Sequence, residues 1–150
     1  MSVSPKSYPM VSVIIPAYNV EGYIARAIES IQRQTLTDYE LLIVDDGSTD
    51  RTGKIAQQYT RHDLRIVDFH IENSGAPAAR NLALDHARGK YVCFMDADDW
   101  ADPSMLADMV ALAERDHLEL VIAGFFIDTY YGRGDEYDQI GRAVQQECRD

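Results

Sequence analysis

Tyr91-Val92-Cys93-Phe94-Met95 runs without a charge and then breaks into Asp96-Ala97-Asp98-Asp99, three carboxylates within four residues. Comparable short runs stand at Val11 to Ile15, Leu41 to Val44 and Leu120 to Phe126, and Arg65 to His70, though it carries charge, reads as a further strand. Between them the apolar residues take helical spacing, as with Ile24, Ala27, Ile28 and Ile31 inside Glu21 to Gln34. Short apolar runs bounded by polar residues read as strands buried on both faces, and the Tyr91 strand is expected inside a sheet on that ground. Strand alternating with helix permits few architectures. It predicts an α/β fold, a mostly parallel, doubly wound, Rossmann-like sheet flanked by helices. Right-handed crossovers bring every strand's carboxyl end to one edge. Tyr18, Asp45, Asp46, Asp96 and Asp98 should converge there, where open α/β sheets bind ligands.

The boundaries follow from local signals. Pro16 is expected to stop the first strand, helices are expected over Thr52 to Tyr59 and Ala76 to Ala87, and Pro77 is tolerated in a first turn. Asp102-Pro103 should open a helix running to about Glu114, and Leu120 to Phe126 should form a fifth strand. Residues 1–10 read as a leader and 11–128 as one domain. The polar stretch 129–150, with Gly132 and Gly134, reads as the start of a region that the chain cuts short.

A net charge of −11 argues against a nucleic-acid partner, since phosphate backbones need a basic surface. Two cysteines, Cys93 in a strand and Cys148 near the end, make no disulfide framework and fit a reducing cytoplasm. Met1 to Pro9 lacks the apolar core of a signal peptide, and Leu118 to Ile127 is too short to span a bilayer. Peripheral contact with the inner face of a membrane stays open. His62, His70, His86 and His117 show no ligand spacing and read as surface or satisfied polar residues, and Cys93 reads as core.

Clustered carboxylate oxygens favour Mg2+ or Mn2+, ions that usually accompany a phosphate-bearing substrate. The bland alternative is a solvated acidic loop. A phospho-receiver reading of Leu42 to Asp46 needs a lysine after Asp96, but Lys6, Lys54 and Lys90 all precede it. A dehalogenase-type phosphatase loop at Asp96-Ala97-Asp98 wants Thr or Val where Trp100 stands. For Asp45, capping of a turn competes evenly with ligand contact. Tyr18 has a core-covering alternative, and for Arg80 the alternative is a structural ion pair with Asp45 or Asp46.

The segments Val11 to Asn19, Val44-Asp45-Asp46-Gly47-Ser48-Thr49-Asp50, Asn73-Ser74-Gly75 leading to Ala79-Arg80-Asn81, and Asp96-Ala97-Asp98-Asp99 with Pro103 occur in order. The set resembles a family 2 glycosyltransferase, over about Val11 to Phe126. That resemblance implies the GT-A fold and inverting transfer of a sugar from a nucleoside diphosphate, with UDP expected, to a saccharide or lipid-linked saccharide acceptor. It implies that Pro16 and Ala17 lie against the base, that Tyr18 stacks on it, and that Asp46 accepts from the imide N–H. Gly75 would let backbone approach the ligand, and Arg80 would meet the diphosphate or brace the acids. Asp96-Ala97 would line the nucleotide, with Asp96 at the ribose or the metal's waters, and Asp98 would ligate Mn2+ or Mg2+. Asp99 is undecided. On the same resemblance, residues 11–128 bind the nucleotide sugar, 129–150 begin an acceptor-side region, and the general base follows Asp150. Asp128, Asp135, Glu136 and Asp138 match no base context. A homodimer is left open. A non-catalytic nucleotide-sugar-binding module and, on weaker grounds, a sugar-nucleotidyltransferase are the other classes.

Overall fold

The computed structural model describes residues 8–123. Strands β1 (Val11–Ala17), β2 (Tyr39–Asp45), β3 (Ile66–His70) and β4 (Tyr91–Phe94) alternate with helices α1 (Ile24–Gln32), α2 (Thr52–Thr60), α3 (Ala76–His86) and α4 (Met105–Asp116). The four strands form one sheet in the order β3-β2-β1-β4, and every pairing is parallel. The predicted α/β class holds.

The central pair β1 and β2 is almost wholly buried. Ile14, Leu42 and Val44 pack against Ala79 and Ala83, small residues that let α3 come close to the sheet. Val13, Ile15, Leu41 and Ile43 alternate with them, are equally buried, and point to the opposite face. Ile24, Ala27, Ile28 and Ile31 bury the apolar stripe of α1. The chain divides into two compact units after Ser104. In the second, α4 carries Asp108 in its first turn and Arg115 in its last, the signs that suit the helix dipole. His117 at φ 53° and Leu118 N–H donating to the Ala113 carbonyl at 3.0 Å close its end.

Three expectations need correction. Pro16 does not stop β1, which continues to Ala17 with Pro16 opposite Val44. The Ala17 carbonyl accepts from Asp46 N–H on the β2 side, so the ring of Pro16 faces the β4 side, beyond the Ile14–Phe94 pair where that ladder ends. A missing N–H costs nothing there. The Tyr91 strand is not buried on both faces. As the edge of the described sheet it leaves Val92 40% and Phe94 51% exposed. Leu120–Ala123, described here, is not a strand, and Gly124 to Phe126 lie outside the described residues, as do Met1–Ser7, Asp128, the stretch from Thr129, and Cys148.

A buried acid fastens β4. Glu40, 2% exposed, accepts from Ser12 Oγ at 2.6 Å, from Arg88 N–H at 2.7 Å, and from Arg88 Nε and Nη2 at 2.8 and 2.6 Å. Ser12 Oγ in turn accepts from Gly89 N–H at 2.8 Å, and a Cβ on Gly89 would collide with Ser12. Burial pushes the Glu40 carboxyl up, but the Ser12 and Arg88 hydrogen bonds and the guanidinium charge outweigh it. The net shift is below the ordinary 4.5. A depressed folded value means stabilisation that is present above the unfolded value and lost as pH falls through the folded one. Glu40→Ala, which leaves the buried Ser12 hydroxyl without its acceptor while the half-exposed Arg88 guanidinium can turn to water, is expected to lower unfolding free energy at pH 7 by about 1–3 kcal/mol in urea denaturation. The deficit should shrink below about pH 4.

Candidate functional site at the carboxyl edge

The β1–α1 and β2–α2 loops are laced by short polar side chains. Asn19, in the left-handed region at φ 51°, donates its N–H to Ser48 Oγ at 3.0 Å and accepts at Oδ1 from Thr49 N–H at 2.9 Å. Val20 N–H donates to Thr52 Oγ1 at 2.8 Å, and Glu21 N–H to Asp50 Oδ2 at 3.1 Å. Ala17 is buried beneath this lacing while the neighbouring Tyr18 ring is half exposed, which favours an open stacking face over a core-covering role. Sequence reading found the loops but not the lacing. The signal was present as Ser, Thr, Asn and Asp, the residues that bond local backbone.

Both β2 acids are buried and engaged. Asp45 Oδ1 accepts from Ser48 N–H at 3.0 Å, the turn-capping role, and Oδ2 lies 3.1 Å from His70 Nδ1. Asp46 accepts from Ser74 N–H at 2.7 Å and Gly75 N–H at 2.8 Å, one on each oxygen. It thereby joins the end of β2 to the entry of α3, and each oxygen keeps a further lone pair. Gly47 has φ 72°, and a Cβ there would stand 2.7 Å from Asn73 N. Gly75 has φ 89° as the N-cap of α3, with ample space around it, so conformation is what requires glycine. Its amide is committed to Asp46, and Pro77 has none.

Arg80, one turn into α3, places Nη2 3.0 Å from Asp96 Oδ1. The alternative pairing with Asp45 or Asp46 is not found, because those carboxylates are sunk below the edge and already bonded. Asp96, Asp98 and Asp99 are exposed, and Ala97 between them is buried. Burial, then the charges of Asp98 and Asp96, hold the Asp99 carboxyl above its ordinary value. Excess negative charge on hard oxygens suits a divalent cation. No cluster of three or more His, Cys, Asp or Glu able to hold a metal occurs among the described residues.

His70 was expected to be a satisfied polar residue, and its surroundings make it a bridge. Nε2 lies 2.8 Å from Asp68 Oδ2, close enough for an ion pair but off line for a hydrogen bond, and both Asp68 oxygens lack a hydrogen-bond partner. Burial raises the Asp68 carboxyl above its ordinary value despite the His70 charge. A raised folded value gives stability present below the unfolded value and lost as pH rises through the folded one. Asp68→Asn should accordingly gain thermal stability relative to the parent as pH rises from about 4 to about 7. Equal melting differences at both pH values would contradict this.

Comparison with known proteins fits this geometry. Residues 12–145 match the family described as Glycosyl transferase family 2. The chain is 43% identical over 118 residues to the uncharacterized glycosyltransferase EpsJ of Bacillus subtilis (strain 168), covering 79% of this chain and 34% of that protein. It thus spans about a third of that relative. The structure of S. aureus TarS 1-349 in complex with UDP matches with TM-score 0.73 and 37% identity, over 84% of this chain and 38% of that one. Mannosyltransferase PcManGT from Pyrobaculum calidifontis, in complex with GDP-Man and Mn2+, matches with TM-score 0.65 and 30% identity, over 75% of this chain and 34% of that one. On the sequence match and the shared parallel sheet, the chain belongs to glycosyl transferase family 2 and has the GT-A fold.

Proposed function

We propose that residues 11–128 form the donor-binding part of an inverting glycosyltransferase that takes a UDP-sugar and a divalent metal. The observation that carries this reading is the Arg80–Asp96 ion pair beside exposed Asp98, on the sheet edge that also carries Tyr18 and Asp46. One ligand with a base, a ribose and a diphosphate would use all of these groups. Tyr18 stacks on the base, Pro16 and Ala17 floor it, and the free lone pairs of Asp46 accept its imide N–H. Asp96 and Ala97 meet the ribose side, and Arg80 exchanges part of its pairing with Asp96 for the diphosphate.

A bound Mn2+ or Mg2+, held by Asp98 with Asp96, would supply electrostatic stabilisation of the departing diphosphate. Inverting transfer also needs a general base to take the acceptor's proton. None of the described carboxylates is assigned that role, since those at the edge stand on the leaving-group side. A saccharide or lipid-linked saccharide supplies the acceptor hydroxyl. UDP bound to TarS, at higher identity than the GDP-Man-bound mannosyltransferase, supports uracil as the base. No described helix is long and apolar enough to cross a membrane, which is compatible with a cytoplasmic or membrane-peripheral setting.

Calorimetric titration tests the reading. UDP should bind in the presence of MnCl2, more tightly than GDP, and Asp98→Asn should weaken that binding by at least about tenfold, the loss expected of one charged metal ligand. No binding, or affinity indifferent to Asp98, would overturn it.

A further inference from the structure

The acidic loop leaves the sheet at its edge with buried Ala97, the Arg80–Asp96 pair and few backbone bonds to hold it. Its backbone links upstream are Met95 N–H to the Ile14 carbonyl at 3.1 Å and, within the loop, Asp99 N–H to the Asp96 carbonyl at 3.1 Å. Three like charges in four residues push it to splay. On its downstream side it is anchored by α1 and by the turn that follows that helix. Arg26 lies over the Trp100 ring, 4.8 Å from its centroid. Ser30 Oγ accepts from Ala101 N–H at 3.0 Å while donating to the Ala27 carbonyl at 2.7 Å. Gln34 Nε2 donates to the Asp102 carbonyl at 2.6 Å, and Thr35 N–H to that of Pro103 at 2.8 Å.

Arg26, Ser30 and Gln34 are spaced by four, and so form a single stripe along α1 and its exit. Ser30, the one polar residue among the buried positions of α1, is 2% exposed, and Gln34, just past the end of that helix, is 5% exposed. Buried polar side chains are costly unless bonded, and each of these two makes one bond back to its own segment, to the Ala27 and Ser30 carbonyls, and one to the loop backbone, at Ala101 and Asp102 in turn. The geometry points to Ser30 and Gln34 as positioning residues that fix the height of Asp96, Asp98 and Asp99 above the sheet edge, so that the loop meets a metal-bound diphosphate already in place. This rests on the donor-site reading above. Neither side chain touches the ligand. Their effect reaches it through the loop, as a preorganised support reaches the groups it carries.

The test uses the 150-residue chain, with Ser30→Ala, Gln34→Met, which keeps the volume and loses the donor, and Ser30→Thr, which keeps the hydroxyl. Affinity is read for UDP with MnCl2 and for uridine, which has no diphosphate. Amide hydrogen exchange is read at Ala101 and Gly75. Ser30→Ala and Gln34→Met should each weaken UDP–Mn2+ binding about tenfold and uridine binding less than about twofold. Ser30→Thr should stay near the parent. Exchange at Ala101 should quicken in Ser30→Ala while that at Gly75, on the other side of the site, holds. Equal weakening of uridine and UDP–Mn2+, or equal quickening at both amides, would mean general loosening and would overturn the proposal. Unchanged affinity and exchange would overturn it too. Should the parent bind no UDP, the donor-site reading fails, and exchange at Ala101 against Gly75 still decides whether the stripe holds the loop.

Discussion

The fold turns on the pairing of β1 with β2, seven consecutive parallel positions from Val11–Tyr39 to Ala17–Asp45 in a nearly solvent-free core. Because the pairing is parallel, each connection must return over a face of the sheet, and the helices that do so bury Ile14, Leu42 and Val44 on one side and their alternates on the other. The same constraint puts every β-to-α loop on one edge. Tyr18, Asp46 and the Asp96–Asp99 loop are neighbours for that reason, not through any local attraction among them.

Charge is the difficulty that this edge must manage. A chain with net charge −11 brings several acids together, and nearly every one that is buried has a specific counterpart. Glu40 has Arg88 and Ser12, Asp45 has Ser48 and His70, and Asp46 has two backbone N–H groups. Asp68 is the exception, with an ion pair but no hydrogen bond. The exposed loop is handled differently. It meets Arg80 through Asp96, and the bonds from Ser30 and Gln34 go to its backbone, not to its carboxylates. Neutralising acids in the core while keeping them available at the rim is what separates a ligand site from a structural network.

Much of this was legible from sequence. Apolar runs alternating with helical spacing gave the α/β class, and strand ends gave the residues that share an edge. What failed had physical causes. An apolar run such as Tyr91 to Met95 says that a strand exists but not how many neighbours it has, so the exposure of Val92 and Phe94 was invisible. Pro16 was read as a breaker because its lost N–H was assumed to face a partner, and its place past the end of β4 makes it harmless. That Arg80 pairs with Asp96, and not with Asp45 or Asp46 as the structural alternative had it, could not be read from sequence because burial of Asp45 and Asp46 is a tertiary fact. The stripe of Arg26, Ser30 and Gln34 could not be seen at all, since its partners lie about 70 residues away and are mainly backbone.

The central claim is that one metal-bound nucleotide spans the edge from Tyr18 to Asp98. Paramagnetic broadening of backbone amide signals by Mn2+ in the presence of UDP tests it directly. The account predicts strong broadening at Ala97, Asp98 and Asp99, weaker broadening at Gly75 and Arg80, and none at Leu64, with the pattern fading when UDP is withheld. Broadening that spreads over the acidic surface, or that is the same without UDP, would contradict it.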